Sequence, residues 1–341
     1  MFGLLKRKSK KRPDEGQGGN DAMDVEEQAA SVVHAVPTAE PPSPDEDEGQ
    51  DVGMEVAELR FMFECSADLV PHRNDVADAL MERLERERMA VYYRNACSEG
   101  NLIMDEKIVA AMDRANEREL DRLEDLKRDA EENHGEIEVM EALLKIAKFK
   151  SRTASKEDAL ASYDEVASLK SMSTGQLIDV VLRKAILGFF WGDYTLVKTN
   201  LDEAERLLEK GGDWDRRNRL KVYRGLYHMA SRDFNKAAED FLSAVATFTS
   251  SELFPYETFI FYTVVTSILA LGRVDFKKKV IDSPEVLAVV RDVDNLQEFM
   301  NTLHECDYKG FFASLVKLNQ RLCTDRYIAK HKDWFFSRGA H

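Results

Sequence analysis

The chain has 341 residues, with 48 Lys and Arg against 63 Asp and Glu, for a formal net charge of −15. Such a field repels nucleic-acid phosphates and anionic lipid, so neither nucleic acid nor a membrane surface is expected as a partner. Eight Pro and 17 Gly are too few for many short strands joined by tight turns, whereas 44% hydrophobic and 33% charged residues suit helices with well-solvated outer faces.

The first 55 residues read as a tail. Lys6, Arg7, Lys8, Lys10, Lys11 and Arg12 form a basic cluster that a nuclear import receptor can read, which makes it a candidate import signal. No Lys or Arg then occurs until Arg60, while 13 carboxylates fall between Asp14 and Glu55 among five of the eight prolines, counting Pro13. Such a composition buries too little apolar surface to offset its ordering entropy, and residues 1–55 are expected to be disordered. The opening MFGLLKRKSKKRP has too short an apolar run for a secretory leader, and no run of about 18 apolar residues follows that would span a membrane. Cytoplasm and nucleus are the expected locations.

From Val56 onward the period is helical. Val76, Leu80 and Leu84 recur at four-residue steps among charged neighbours, one apolar stripe on a wet helix. Between Asp113 and Glu132, 14 of 20 residues are charged, which predicts a long helix docked by a narrow face, with Gly135 just past its end as the stop. Three pairs follow, Ala159 and Tyr163, Val197 and Leu201, and Ala237 and Phe241, offset by 38 and 40 residues. Gly192-Asp193-Tyr194 and Arg232-Asp233-Phe234 stand before the last two, each a turn followed by an aromatic anchor. The pattern is a degenerate tetratricopeptide repeat, which predicts stacked helical hairpins. The apolar run from Pro255 to Leu271 contains a β-branched and aromatic stretch, Phe259 to Thr266, but its length favours a buried helix opened by Pro255 and closed by Gly272. A shorter helix begins at Pro284, and an amphipathic one runs from Tyr308 to Leu322.

Enzyme signatures are missing: there is no GxGxxG, P-loop or GxSxG, and no Cys or Ser sits in a nucleophile signature. Cys65, Cys97, Cys306 and Cys323 include no CxxC pair, and His304-Glu305-Cys306 lacks the second His of a helical zinc site. No metal, cofactor or catalytic residue is assigned. The most informative string is Gly211-Gly212-Asp213-Trp214-Asp215-Arg216-Arg217-Asn218-Arg219-Leu220-Lys221-Val222-Tyr223. Its glycines allow a left-handed helix end, and Asp213 or Asp215 can cap the next helix. Arg216, Arg217, Arg219 and Lys221 then offer either an ionic contact to a neighbouring protein or intramolecular pairs with Asp202, Glu203 or Glu205.

That string, with AAEDFLSAVATFTSSELFPYETFIFYTVVTSILAL, ANERELDRLEDLKRDAEENHGEIEV, KKKVIDSPEVLAVV and LHECDYKGFFASL, resembles the PCI-domain subunits of the proteasome regulatory lid over roughly Val56 to Tyr327. The resemblance implies an all-α fold, a right-handed superhelix of tetratricopeptide-like hairpins (56–190) leading into the helical part of a PCI domain (191–327). It implies a non-catalytic scaffold for ATP-dependent degradation of ubiquitinated proteins. Its partners would be other lid subunits of the PCI and MPN types and the ATPase ring, in a hetero-oligomer. Residues 328–341 do not resemble the winged helix that follows in the family, so that module is expected to be missing. A signalosome scaffold of the subunit-one type, or a free helical-repeat adaptor, are the alternative readings.

Overall fold

The computed structural model describes residues 49–100 and 102–332, to which all structural statements refer. The basic cluster from Lys6 to Arg12 and most of the acidic tail lie outside that range. Ordered structure begins earlier than residue 56. The Asp51 carboxylate accepts from the Gly53 and Met54 amides, and the helix it caps, α1 (Val52–Glu64), places Met54 and Val56 in the core.

The described residues contain helices and no strand. After α1 come α2 (Arg73–Arg86), α3 (Ala90–Gly100), α4 (Glu106–Asn133), α5 (Glu136–Thr153), α6 (Lys156–Ala167), α7 (Thr174–Trp191) and α8 (Tyr194–Gly211). They are followed by α9 (Trp214–Ala230), α10 (Phe234–Ala244), α11 (Tyr256–Ala270), α12 (Arg273–Phe276), a π-helical turn (Lys277–Ile281), α13 (Pro284–Val289), α14 (Leu296–Glu305) and α15 (Tyr308–Thr324). Sequential neighbours pack as hairpins, most extensively α7 with α8, α9 with α10, and α5 with α6.

Each repeat pair is buried as the spacing predicts. Ala159 and Tyr163 lie on α6, Val197 and Leu201 on α8, and Ala237 and Phe241 on α10, all in the core. The two quoted turns are the same object. Gly192 and Arg232 both adopt the left-handed conformation (φ 70° and 68°). The Gly192 amide donates to Phe189 O and the Asp193 amide to Gly188 O at 2.8 Å; the Arg232 amide donates to Met229 O and the Asp233 amide to His228 O at 2.8 Å. These are Schellman motifs, and in both the following Asp already caps the next helix, its Oδ1 accepting from Leu196 N or Lys236 N. One residue thus closes a helix and opens another.

The structure holds a third copy that the sequence spacing does not reveal. Cys306 is left-handed (φ 59°), the Asp307 amide donates to Thr302 O at 2.9 Å, and Asp307 Oδ1 caps α15 through Gly310 N. Tyr308 then holds the aromatic position, and Phe311 and Leu315 hold the buried pair. Spacing hid it, because α11 to α14 separate it from the second copy and Cys replaces the expected glycine.

Two helix ends differ from expectation. Gly135 is no left-handed stop: it is extended (φ −99°, ψ −179°) and forms the N-cap of α5, its amide donating to Glu138 Oε2. Pro255 is likewise the N-cap of α11, one position before the first helical turn, and Leu271, not Gly272, is the C-cap.

Three apolar cores meet at α7. Ile178, Leu182, Ala185 and Phe189 join the largest, which reaches from Met54 to Ile328. Leu187 and Phe190 join that of α1 to α4, and Val180 that of α5 and α6. This explains why α7 is apolar on nearly all sides: it is flanked all round. The boundary placed at residue 190 falls at the end of this shared helix.

Candidate partner-contact face

The string from Gly211 to Tyr223 forms the α8–α9 turn and the first half of α9. Gly211 ends α8 at φ 150°, Gly212 is extended, and Asp213 rather than Asp215 caps α9, its Oδ1 accepting from Arg216 N at 2.9 Å. That amide, followed by the nearby Arg216 guanidinium, holds the Asp213 carboxyl below the usual range.

Two of the four cations are spent inside the molecule. Arg216 forks onto Asp179 of α7, with Nε 3.1 Å from Oδ1 and Nη2 2.5 Å from Oδ2, and also pairs with Asp213. Arg219 bridges Asp179 Oδ1 at 3.1 Å and Glu252 Oε1 at 2.9 Å. The buried Tyr223 hydroxyl donates to the same Glu252 oxygen at 2.8 Å. The Glu252 carbonyl accepts the Asp51 amide at 2.8 Å, so the network ties α7, α9 and the α10–α11 loop to the start of α1.

Intramolecular pairing therefore holds for Arg216 and Arg219, but with other acids than Asp202, Glu203 or Glu205. Glu203 pairs with Arg206 and Glu205 with Arg224. The partners used, Asp179 and Glu252, lie 37 and 33 residues away from Arg216 and Arg219 respectively. They come near only through hairpin stacking, which local spacing does not report. Lys221 Nζ donates to Asn218 Oδ1 at 3.3 Å, and Asp215 accepts from the Thr249 hydroxyl. What the string leaves outward is Trp214, 65% exposed, and Arg217, three residues on and so on the same face of α9. Trp and Arg are both among the residue types enriched at the energetic centres of protein interfaces.

Other surface apolar side chains are Ile103 and Ile137, and on α15 Tyr308, Phe312 and Val316, which repeat at four-residue steps while Phe311, Leu315 and Leu318 face the core. A groove of about 700 Å³ between α10, the end of α11 and α13 is lined by Leu242, Val245, Ala270 and Leu271, with Glu239 and Glu285 at its edge. The carboxyls that burial raises, Glu55, Glu58 and Asp325, do not line it. Among the described residues no cluster of His, Cys, Asp and Glu is arranged to hold a metal ion, and no helix is long and apolar enough to cross a membrane.

Stacked hairpins joined by an internal ion-pair network, with aromatic and apolar residues left at the surface, define a helical-repeat protein of the kind that presents faces to other proteins. The chain belongs to the 26S proteasome subunit RPN7 family, whose model matches residues 105–279, from the start of α4 into the π-helical turn. It is 44% identical over 257 residues to the 26S proteasome non-ATPase regulatory subunit 6 of Oryza sativa, covering 75% of this chain and 66% of that protein. It is 44% identical over 252 residues to the Arabidopsis thaliana homolog, covering 74% and 65%. To the regulatory subunit RPN7 of Saccharomyces cerevisiae it is 32% identical over 338 residues, 92% of this chain and 76% of the yeast protein. The match thus spans about two thirds of the length of the two plant relatives.

Proposed function

We propose that this chain is a non-catalytic structural subunit of the proteasome regulatory-particle lid, scaffolding lid assembly for ATP-dependent degradation of ubiquitinated proteins. Membership of the RPN7 family, matched from α4 to the π-helical turn, carries the reading. Relatives from plants to yeast bear the names of proteasome regulatory subunits. Its partners are then other lid subunits of the PCI and MPN types and the ATPase ring, and Trp214 with Arg217 is the part of the α9 string offered to them. Cytoplasm and nucleus are the proposed locations, with Lys6, Arg7, Lys8, Lys10, Lys11 and Arg12 as the import signal.

The test is native immunopurification at low salt, with partners identified by mass spectrometry and peptidase activity assayed. Stoichiometric lid and ATPase subunits with peptidase activity are expected. Recovery with a cullin-directed deneddylating complex, or of a lone chain, overturns the proposal. Replacing the six basic residues by Ala should abolish nuclear accumulation; an unchanged nuclear signal removes the import role.

A further inference from the structure

Beyond α15 the chain makes a short strap, residues 325–331, that runs across two of the Schellman turns. Asp325 Oδ1 holds the start of the strap by accepting from the Tyr327 and Ile328 amides, each at 2.9 Å. At the α7–α8 turn, Arg326 Nη2 donates to the carbonyls of Phe189 and, at 3.0 Å, Phe190, while Lys330 Nζ lies 5.8 Å from the centre of the Tyr194 ring. At the α9–α10 turn, His331 Nε2 is 3.1 Å from Ala230 O, and its ring meets Phe234 edge-on at 5.7 Å. A carbonyl only accepts, so this nitrogen carries the proton.

The strap therefore makes the same two contacts twice. Phe189, Phe190 and Ala230 lie in the closing turns of α7 and α9, where the dipole favours a cation or N–H group; Phe189 O also accepts the capping Gly192 amide. Tyr194 and Phe234 are the first residues of α8 and α10, the aromatic positions of the repeat. The middle of the strap is seated in the main core, where Tyr327 is 2% exposed and Ile328 0%, so the two turns are held by a segment that is itself anchored.

We propose that residues 325–331 are a clasp that fixes the spacing of the α7–α8 and α9–α10 hairpins, coupling the two turns so that loosening one loosens the other. The inference stands independently of the lid assignment, because it concerns the chain alone.

Hydrogen exchange measured by mass spectrometry on the full chain tests it. The reporters are peptides containing Asp193 and Asp233, whose amides close the two turns, with α4–α5 peptides as the control because none of the strap contacts described above involves either helix. His331→Ala removes only the half-exposed far end of the strap. The clasp predicts exchange at least about threefold faster at both Asp193 and Asp233, with α4–α5 unchanged. Faster exchange at Asp233 alone means two independent contacts and overturns the proposal, as does a uniform rise across all peptides or no rise at all. Arg326→Met, which keeps an unbranched stem but removes the donor to both carbonyls, should give the same paired response from the other end. A response at Asp193 alone again overturns it.

Discussion

The Tyr262 hydroxyl donates to Asp325 Oδ2 at 2.7 Å, joining the middle of α11 to the residue that ends α15. Tyr262 is buried and Asp325 partly so, and burial pushes the Asp325 carboxyl above the usual carboxylate range while Tyr262 and the strap amides pull it back. Tyr262→Phe deletes one donor without changing shape, so it should cost about 1–3 kcal/mol, the penalty for a buried acceptor left short of a partner. Urea unfolding of the full chain measures it; an unchanged midpoint would show that water replaces the hydroxyl.

Glu58 on α1 faces the same region and should make stability pH-dependent. Burial, then the Asp325 carboxylate, raise it to about 7, opposed by the Gln50 amide and Arg326, with Glu55 adding to the rise. An acid whose folded value exceeds its unfolded one takes up a proton on folding between the two. Stability is then greatest below about 4.5, falls as pH rises through about 7, and is flat beyond, as far as this group is concerned. Glu58→Gln should flatten that part of the profile and stabilise the protein at pH 8. A thermal-melt series from pH 5 to 8 that keeps its slope in the variant would place the titration elsewhere.

Gly188 faces Val197 across the α7–α8 hairpin. A Cβ there would meet Val197 Cγ2 at 2.8 Å and Val197 N at 3.1 Å, and backbone cannot step aside as a side chain can. Gly188→Ala should therefore destabilise by about 1–3 kcal/mol through forced separation of the hairpin. Gly192→Ala, placing a side chain at φ 70°, should cost about 1–2 kcal/mol by a different route, backbone strain. Calorimetry on the two single variants and the double tests whether these neighbours combine additively.

The α9 string divides into an inward and an outward half, and the halves should respond differently. Asp179→Ala strips two guanidiniums of a shared acceptor that is 33% exposed, so a loss of about 1–2 kcal/mol is expected, more than an isolated surface pair gives because two cations depend on it. Trp214→Ala should leave the melting temperature within about 1 °C, as surface substitutions do. In pull-downs with lid subunits the order should reverse, with Trp214→Ala reducing recovery. If Trp214→Ala binds normally, that face is not the contact.

Much of the hairpin array can be read in the sequence, because its signals are local: a small residue and a larger one four positions on, an Asp before an aromatic, a proline near a helix start. What resists reading is set by distance or by exceptions to residue preference. Arg232 and Cys306 occupy left-handed positions where glycine is expected, so one turn was recognised only beside its neighbour and the other was missed. The acids that capture Arg216 and Arg219 sit one hairpin away, and those proposed from proximity in sequence are already engaged by Arg206 and Arg224. The strap was unreadable for the same reason, as the carbonyls it meets precede it by more than 100 residues.

The Asp residues that both close one helix and open the next leave no linker between those helices. A residue inserted between Gly192 and Asp193, or between Arg232 and Asp233, would separate the left-handed position from the cap it serves and lose both functions together. Length variation should accumulate instead in connections that carry no such double duty and hold no buried residue, such as residues 66–69 and 168–173, and a tag or reporter for following this protein is best inserted there.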